Sequence, residues 1–111
     1  MTAPGHSSTD LRWDRFNIVE QLANVGSEVE RAIRARESGN EQRFERALDR
    51  ALALFDLTAS DNRWRGPRRR EVLRAREEFV RLFFDPLVPA ESAAGLRRYF
   101  LAFAIAARRK R

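Results

Sequence analysis

The chain has 111 residues, a formal net charge of +6, 43% hydrophobic residues and no cysteine. That length and apolar content suit one domain with a real core and exclude a largely disordered chain. The lack of cysteine excludes disulfides and thiolate metal sites and points to a reducing cytoplasm. The longest apolar run, YFLAFAIAA from Tyr99 to Ala107, is under half the roughly 20 residues a membrane helix needs, so no membrane crossing is expected.

The first ten residues, MTAPGHSSTD, carry neither the basic nor the apolar region of a secretory signal. Residues 1–9 are expected to form a disordered tail, followed by a single domain over residues 10–111. Thr9 or Asp10 is suited to cap a first helix. Along it Ile18, Leu22, Val25, Val29 and Ala32 recur at helical spacing, widened by Val19, Gly26 and Ile33 into a core-facing band. Asn17, Glu20, Asn24, Glu28 and Arg31 form its solvated face. Gly26 on the apolar side implies close approach of another helix, because glycine gives up about 1 kcal/mol of helix propensity against alanine. Gly39 supplies the stop.

Asn40 is a good N-cap for a second helix, whose stripe is Phe44, Leu48, Ala51 and Phe55, flanked by Ala47, Leu52 and Leu54. Glu41, Glu45 and Asp49 alternate with Arg46 and Arg50 as an ordinary solvated face, and the helix ends near Ala59. Gly66-Pro67 opens a third helix, since proline suits a first turn. It carries Val72, Leu73, Phe79, Val80, Leu82, Phe83 and Phe84 and stops at Asp85-Pro86. A fourth helix begins at Glu91 or Ser92, with Leu96, Tyr99, Phe100, Phe103 and Ala107 on one side and Leu101 and Ile105 on the other. A helix apolar around most of its circumference needs cover, so it is expected to be central or to lie in an oligomer interface.

Four helices with short connectors predict an all-α, antiparallel up-down four-helix bundle. Charge is unevenly placed. Residues 1–62 hold 8 Arg and 11 acidic residues, −3; residues 63–111 hold 14 basic and 5 acidic residues, +9. In an antiparallel bundle one pole collects Arg12, Arg15, Arg63, Arg65, Arg68, Arg69, Arg70, Arg108, Arg109, Lys110 and Arg111 against Asp10, Asp14, Asp56 and Asp61, leaving +7.

Four segments, WDRFNIVEQLANVGSEVERAI, RALDRALALFDLTASD, RRREVLRAREEF and YFLAFAIAARRKR, resemble in that order a family of short prokaryotic hypothetical proteins, over residues 13–111. The resemblance implies an all-helical fold and assigns no activity. A looser likeness is to the HEPN group of helical bundles. Its RNA-cutting members carry an arginine followed four to six residues later by a histidine on a late helix. Here the one histidine is His6, so the likeness implies a non-catalytic version.

Enzyme chemistry finds little support. His6 has no cysteine to pair with, and Ser7, Ser8, Ser27, Ser38, Ser60 and Ser92 have no partner base nearby in sequence. The glycines form no phosphate loop. Glu77-Glu78 lacks the histidine of a carboxylate-bundle metal site, so neither metal nor cofactor is expected. Asp56, within ALALFDLT, reads as a helix-terminal acid bonded to a loop; the alternative is a buried partner for an arginine, Arg63 or Arg65 being the candidates. Trp64 reads as a plug pinning its loop, with base stacking as the alternative, and Trp13 as a similar plug.

Arg68, Arg69 and Arg70 break a local rule. Cations in a first turn oppose the helix dipole by roughly 0.3–1 kcal/mol each, and such violations concentrate at functional sites. Arg108, Arg109, Lys110 and Arg111 instead sit at a helix C-terminus, where the dipole favours them. The expected function is therefore non-enzymatic binding. Arg63, Trp64, Arg65, Arg68, Arg69, Arg70, Arg108, Arg109, Lys110 and Arg111 would contact nucleic-acid phosphate, RNA in preference to DNA, with little sequence specificity. The alternative is a homodimer or protein-docking module using Phe79, Phe83, Phe84, Tyr99, Leu101 and Ile105, with no nucleic-acid role.

Overall fold

The computed structural model describes residues 13–109. The expected tail, His6, Arg12, Lys110 and Arg111 lie outside the described residues, as do Thr9 and Asp10. Four helices follow in order: α1 Ile18–Glu37, α2 Glu41–Ser60, α3 Pro67–Phe84 and α4 Ser92–Arg109, with a short 3-10 turn Asn62–Trp64 between α2 and α3. They form a compact all-α bundle with antiparallel neighbours. Trp13 beside α1 meets Thr58 at the end of α2. Phe44 early in α2 stacks on Phe83 late in α3. Tyr99 in α4 bonds Glu71 at the start of α3, and Arg97 in α4 reaches Glu30 and Glu37 in the second half of α1.

The long helix α1 begins at Ile18. After a turn from Trp13 to Phe16, Asn17 caps it: its side chain accepts from the Glu20 N–H at 2.9 Å while the Glu20 carboxylate accepts from the Asn17 N–H at 2.9 Å. This capping box satisfies two otherwise orphaned donors, so Asn17 and Glu20 are terminal devices and not simply a solvated face. Gly39, at φ 73°, lets the chain turn between α1 and α2, and Asn40 caps α2 by accepting from the Arg43 N–H. Pro67 opens α3, which stops at Phe84.

The core is drawn from all four helices: Leu22, Val25 and Val29 of α1, Phe44, Ala51 and Phe55 of α2, Val72 and Phe79 of α3, and Leu96 and Phe100 of α4. Phe55 lies at its centre, with ring centroids 5.7 Å from Phe79 and 6.0 Å from Phe100. At Gly26 Phe100 of α4 packs directly against the backbone of α1. A Cβ there would stand 2.7 Å from the Phe100 Cβ, closer than packed carbons tolerate. Gly26→Ala is accordingly expected to lower stability by about 1–2 kcal/mol, an overpacking cost of about 1–3 kcal/mol less the ~1 kcal/mol of helix propensity regained. Urea denaturation followed by circular dichroism measures it. The Arg97 hydrogen bonds that hold α4 against α1 also keep Glu30 below the usual carboxylate range.

Within the single chain the fourth helix is covered on one side only. Leu96 and Phe100 are buried, but its outer face is open, with Leu101 52% and Ile105 42% exposed. The interface set expected from sequence needs revision too. Phe79 is wholly buried and is a core residue. Phe83 is half-buried between Phe79 and Phe44, at 5.3 and 4.8 Å. Tyr99 is half-buried and donates its hydroxyl to Glu71 Oε2 at 2.6 Å; burial, with Glu71 second, pushes that hydroxyl well above the usual phenol range. Only Phe84, Leu101 and Ile105 of the six are exposed. Antiparallel packing sets Phe84 near the start of α4 and the other two in its second half, so they do not make one patch.

Candidate nucleic-acid interface

The pole where α1 and α3 begin and α2 ends is organised around a buried amide that no sequence motif singles out. Gln21 is fully buried. Its Nε2 donates to the Trp13 carbonyl at 3.0 Å and to Asp61 Oδ2 at 3.1 Å, and its Oε1 accepts from Trp64 Nε1 at 2.7 Å. Every polar atom of the side chain is therefore paired, as burial demands. Trp13 Nε1 donates to Thr58 Oγ1 at 3.3 Å, and that hydroxyl donates to the Leu54 carbonyl. Gln21 falls on the same helical stripe as Ile18 and Val25. That position was the available signal for its burial.

Asp61 ends α2 and begins the 3-10 turn. Its Oδ1 accepts from the Arg63 N–H at 3.0 Å, and its Oδ2 takes the Arg63 guanidinium at 2.7 Å. That pairing holds the Asp61 carboxyl down at about 2, against the desolvation that would raise it. The stability tied to its ionisation is present above the ordinary aspartate range and is lost as pH falls towards 2. Arg63 Nη2 also donates to the Phe16 carbonyl at 2.8 Å, and its guanidinium lies over the Trp64 ring at 4.6 Å. Arg63 is thus bound into the pole, and Trp64 has its N–H taken by Gln21 and one ring face covered.

The remaining arginines divide. Arg68 pairs with Glu71 at 3.0 Å. Arg69 Nη2 donates to the Asp61 carbonyl at 3.4 Å, while its Nε is buried without a partner. Arg70, Arg108 and Arg109 are exposed, and so is Arg65, whose one bond is a long 3.4 Å contact to Asn62. Among the described residues none of these four makes an ion pair. Arg108 borders a furrow that Ala23 and Ser27 in the first half of α1 also line, so α4 runs towards this pole. α3 itself starts at Gly66 with no side-chain cap and no acid in its first turn.

Asp56 is not part of the pole. It is exposed on the edge of α2 that faces α3 and pairs with Arg76 at 3.0 Å. It is therefore neither a buried partner for Arg63 or Arg65 nor a loop-bonded helix-terminal acid; its neighbour Phe55 holds the inward position. Glu71 takes its place in the local balance. Arg15, Arg63, Arg65, Arg68, Arg69, Arg70, Arg108 and Arg109 stand against Asp14, Glu20, Asp61 and Glu71, eight cations to four anions, or +4.

Among the described residues no group of three or more His, Cys, Asp or Glu side chains converges, and no helix is long and apolar enough to cross a membrane. What this arrangement can do chemically is attract anions and fork hydrogen bonds to their oxygens. No family model, curated protein or solved structure matches the chain.

Proposed function

We propose that this chain is a non-enzymatic binding protein whose basic pole holds nucleic-acid phosphate, RNA in preference to DNA. The observation that carries the reading is the start of α3. Arg68, Arg69 and Arg70 fill a first turn with no acid and no side-chain cap. Glu71, just past that turn, pairs with Arg68, which leaves Arg69 and Arg70 opposing each other and the helix dipole, and an arriving phosphate relieves both. Arg63, Trp64 and Asp61 form the rigid support of that surface, while Arg65, Arg70, Arg108 and Arg109 meet the ligand, with Lys110 and Arg111 continuing the same charge in sequence. Base-specific reading of duplex DNA needs an element seated in a groove. The first turn of α3 is tied back by Trp64 and Arg69, and this favours a flexible single strand laid across the pole.

The test is a fluorescence-anisotropy titration of labelled single-stranded RNA and duplex DNA at low and physiological salt. Arg65→Gln/Arg70→Gln is the variant of choice, because neither residue makes an ion pair whose loss would disturb the fold. Single-stranded RNA is expected to bind more tightly than duplex DNA. The log–log salt slope is expected to fall by about 1.4 in the double variant, roughly 0.7 for each phosphate no longer neutralised. Equal binding by wild type and variant would sink the reading. The rival, a dimer or docking face on α4, has Leu101 and Ile105 as its exposed large apolar side chains, one turn apart. Two side chains fall well short of the roughly 800 Å² per partner of a standard interface.

A further inference from the structure

The second helix segregates its charges. Arg43, Arg46 and Arg50, spaced by three and four, share one edge, which looks onto α1. The acids Glu41, Glu45 and Asp49 fall on another edge at four-residue spacing, continued by Asp56, which reaches Arg76 of α3. The alternating solvated face expected from sequence is therefore two opposed stripes. Arg31 and Arg34 of α1 line the same groove as the three α2 arginines, and Glu28 is the one acid along it. Glu28 is paired to Arg31 at 2.6 Å, and Arg34 is paired to Glu30 at 2.8 Å. Among the described residues Arg43, Arg46 and Arg50 have no ion-pair partner. Like charges at three- and four-residue spacing repel by a few tenths of a kcal/mol per pair, and no ion pair within the described chain offsets it.

We infer that this groove between α1 and α2 is a second phosphate-binding surface, taking the backbone of a single-stranded nucleic acid along Arg43, Arg46 and Arg50. Two features select that occupant. Protein interfaces are anchored by large apolar or aromatic side chains seated in pockets, whereas the apolar floor of this groove is Ala35 and Ala47. It thus offers guanidinium forks and no anchor, which suits a polyanion's backbone. It also lies in a furrow between two neighbouring helices, whose axes pack about 8–10 Å apart. That furrow admits one strand more readily than a duplex. The three arginines span about 10 Å of helix, at 1.5 Å per residue, so they address successive phosphates and not a single one. The ligand class is shared with the pole, but the location is not. The groove is lined by the second half of α1 and the first half of α2, and Arg31 and Arg34 also border the furrow that leads along α4 to Arg108. A long strand can therefore occupy both surfaces.

The experiment compares labelled oligouridylates of roughly 4 and roughly 16 nucleotides binding to wild type, to Arg43→Gln/Arg46→Gln/Arg50→Gln, and to the pole variant Arg65→Gln/Arg70→Gln. Circular dichroism melts confirm that each variant folds. Wild type is expected to bind the long oligomer at least about tenfold more tightly than the short one, and the groove variant to lose that gain. Its salt slope on the long oligomer is expected to fall by about 2, three phosphates at roughly 0.7 each. If the groove variant matches wild type at both lengths, the groove is idle and this inference is overturned, with the pole reading intact. If the pole variant matches wild type while the groove variant loses binding, the groove stands and the pole reading fails. A poly-glutamate peptide that competes with the long oligomer at equal charge concentration would assign the groove to acidic protein and overturn the nucleic-acid inference.

Discussion

Phe79→Ala is expected to destabilise the chain by about 3–5 kcal/mol, the usual range for emptying a fully buried phenylalanine site. The residue has no exposed surface. Its ring is seated between Phe55 at 5.7 Å and Phe83 at 5.3 Å, and Phe83 in turn rests on Phe44. Truncation removes the side chain through which α3 reaches the centre of the core, and the rigid rings around the hole cannot collapse into it. Total stability of a domain this size lies in the range of about 5–15 kcal/mol, so the variant is expected to be partly unfolded at room temperature. Chemical denaturation by circular dichroism gives the value. An unchanged midpoint together with a loss of self-association in sedimentation would instead restore an interface role for Phe79.

Gln21→Ala is the second large effect, about 2–4 kcal/mol, because it strands several groups at once. The Trp64 indole N–H loses its acceptor, and Asp61 and the Trp13 carbonyl each lose a donor. Buried groups left without partners cost about 1–3 kcal/mol each, reduced where water gains access. Gln21→Leu keeps the volume but not the bonds, and is expected to recover less than half of the loss. A leucine variant as stable as wild type would show that the amide contributes through shape alone. Both variants are also expected to weaken RNA binding at the pole, because the turn carrying Arg65 is held to α1 through Trp64.

The contrast between these two residues shows what could be read in advance. The stripes of α1 and α2, the stops at Gly39 and Asp85-Pro86, the Asn40 cap and the close approach at Gly26 follow from local rules of spacing and capping, and local rules act within a few residues. Gln21 obeys a different logic. Its polarity suggests solvent, and two of the three partners that make its burial tolerable lie 40 or more residues away along the chain. Phe79, Phe83 and Phe84 form a dense apolar run whose inward member cannot be picked without the neighbouring helix; the structure turns Phe79 inward and leaves Phe84 60% exposed. The same holds for the arginines. Their number at the pole was countable, but whether Arg63 is free depended on Asp61, Phe16 and Trp64 meeting in space. The separation of Arg43, Arg46 and Arg50 from the acids of α2 is implicit in their spacing. That this edge borders α1 is a fact of packing.

The placement of the tryptophans has an optical consequence. The chain contains two, and Gln21 bonds both of them, one through its carbonyl and one through its indole N–H. The protein's near-ultraviolet emission is thus a local probe of a single end of the molecule. A strand arriving at Arg65 and Arg70 sits within quenching range of Trp64, whereas one confined to Arg43, Arg46 and Arg50 lies beside no indole and leaves the spectrum unaltered. Intrinsic quenching set beside anisotropy therefore separates the two surfaces in unlabelled, unmutated protein.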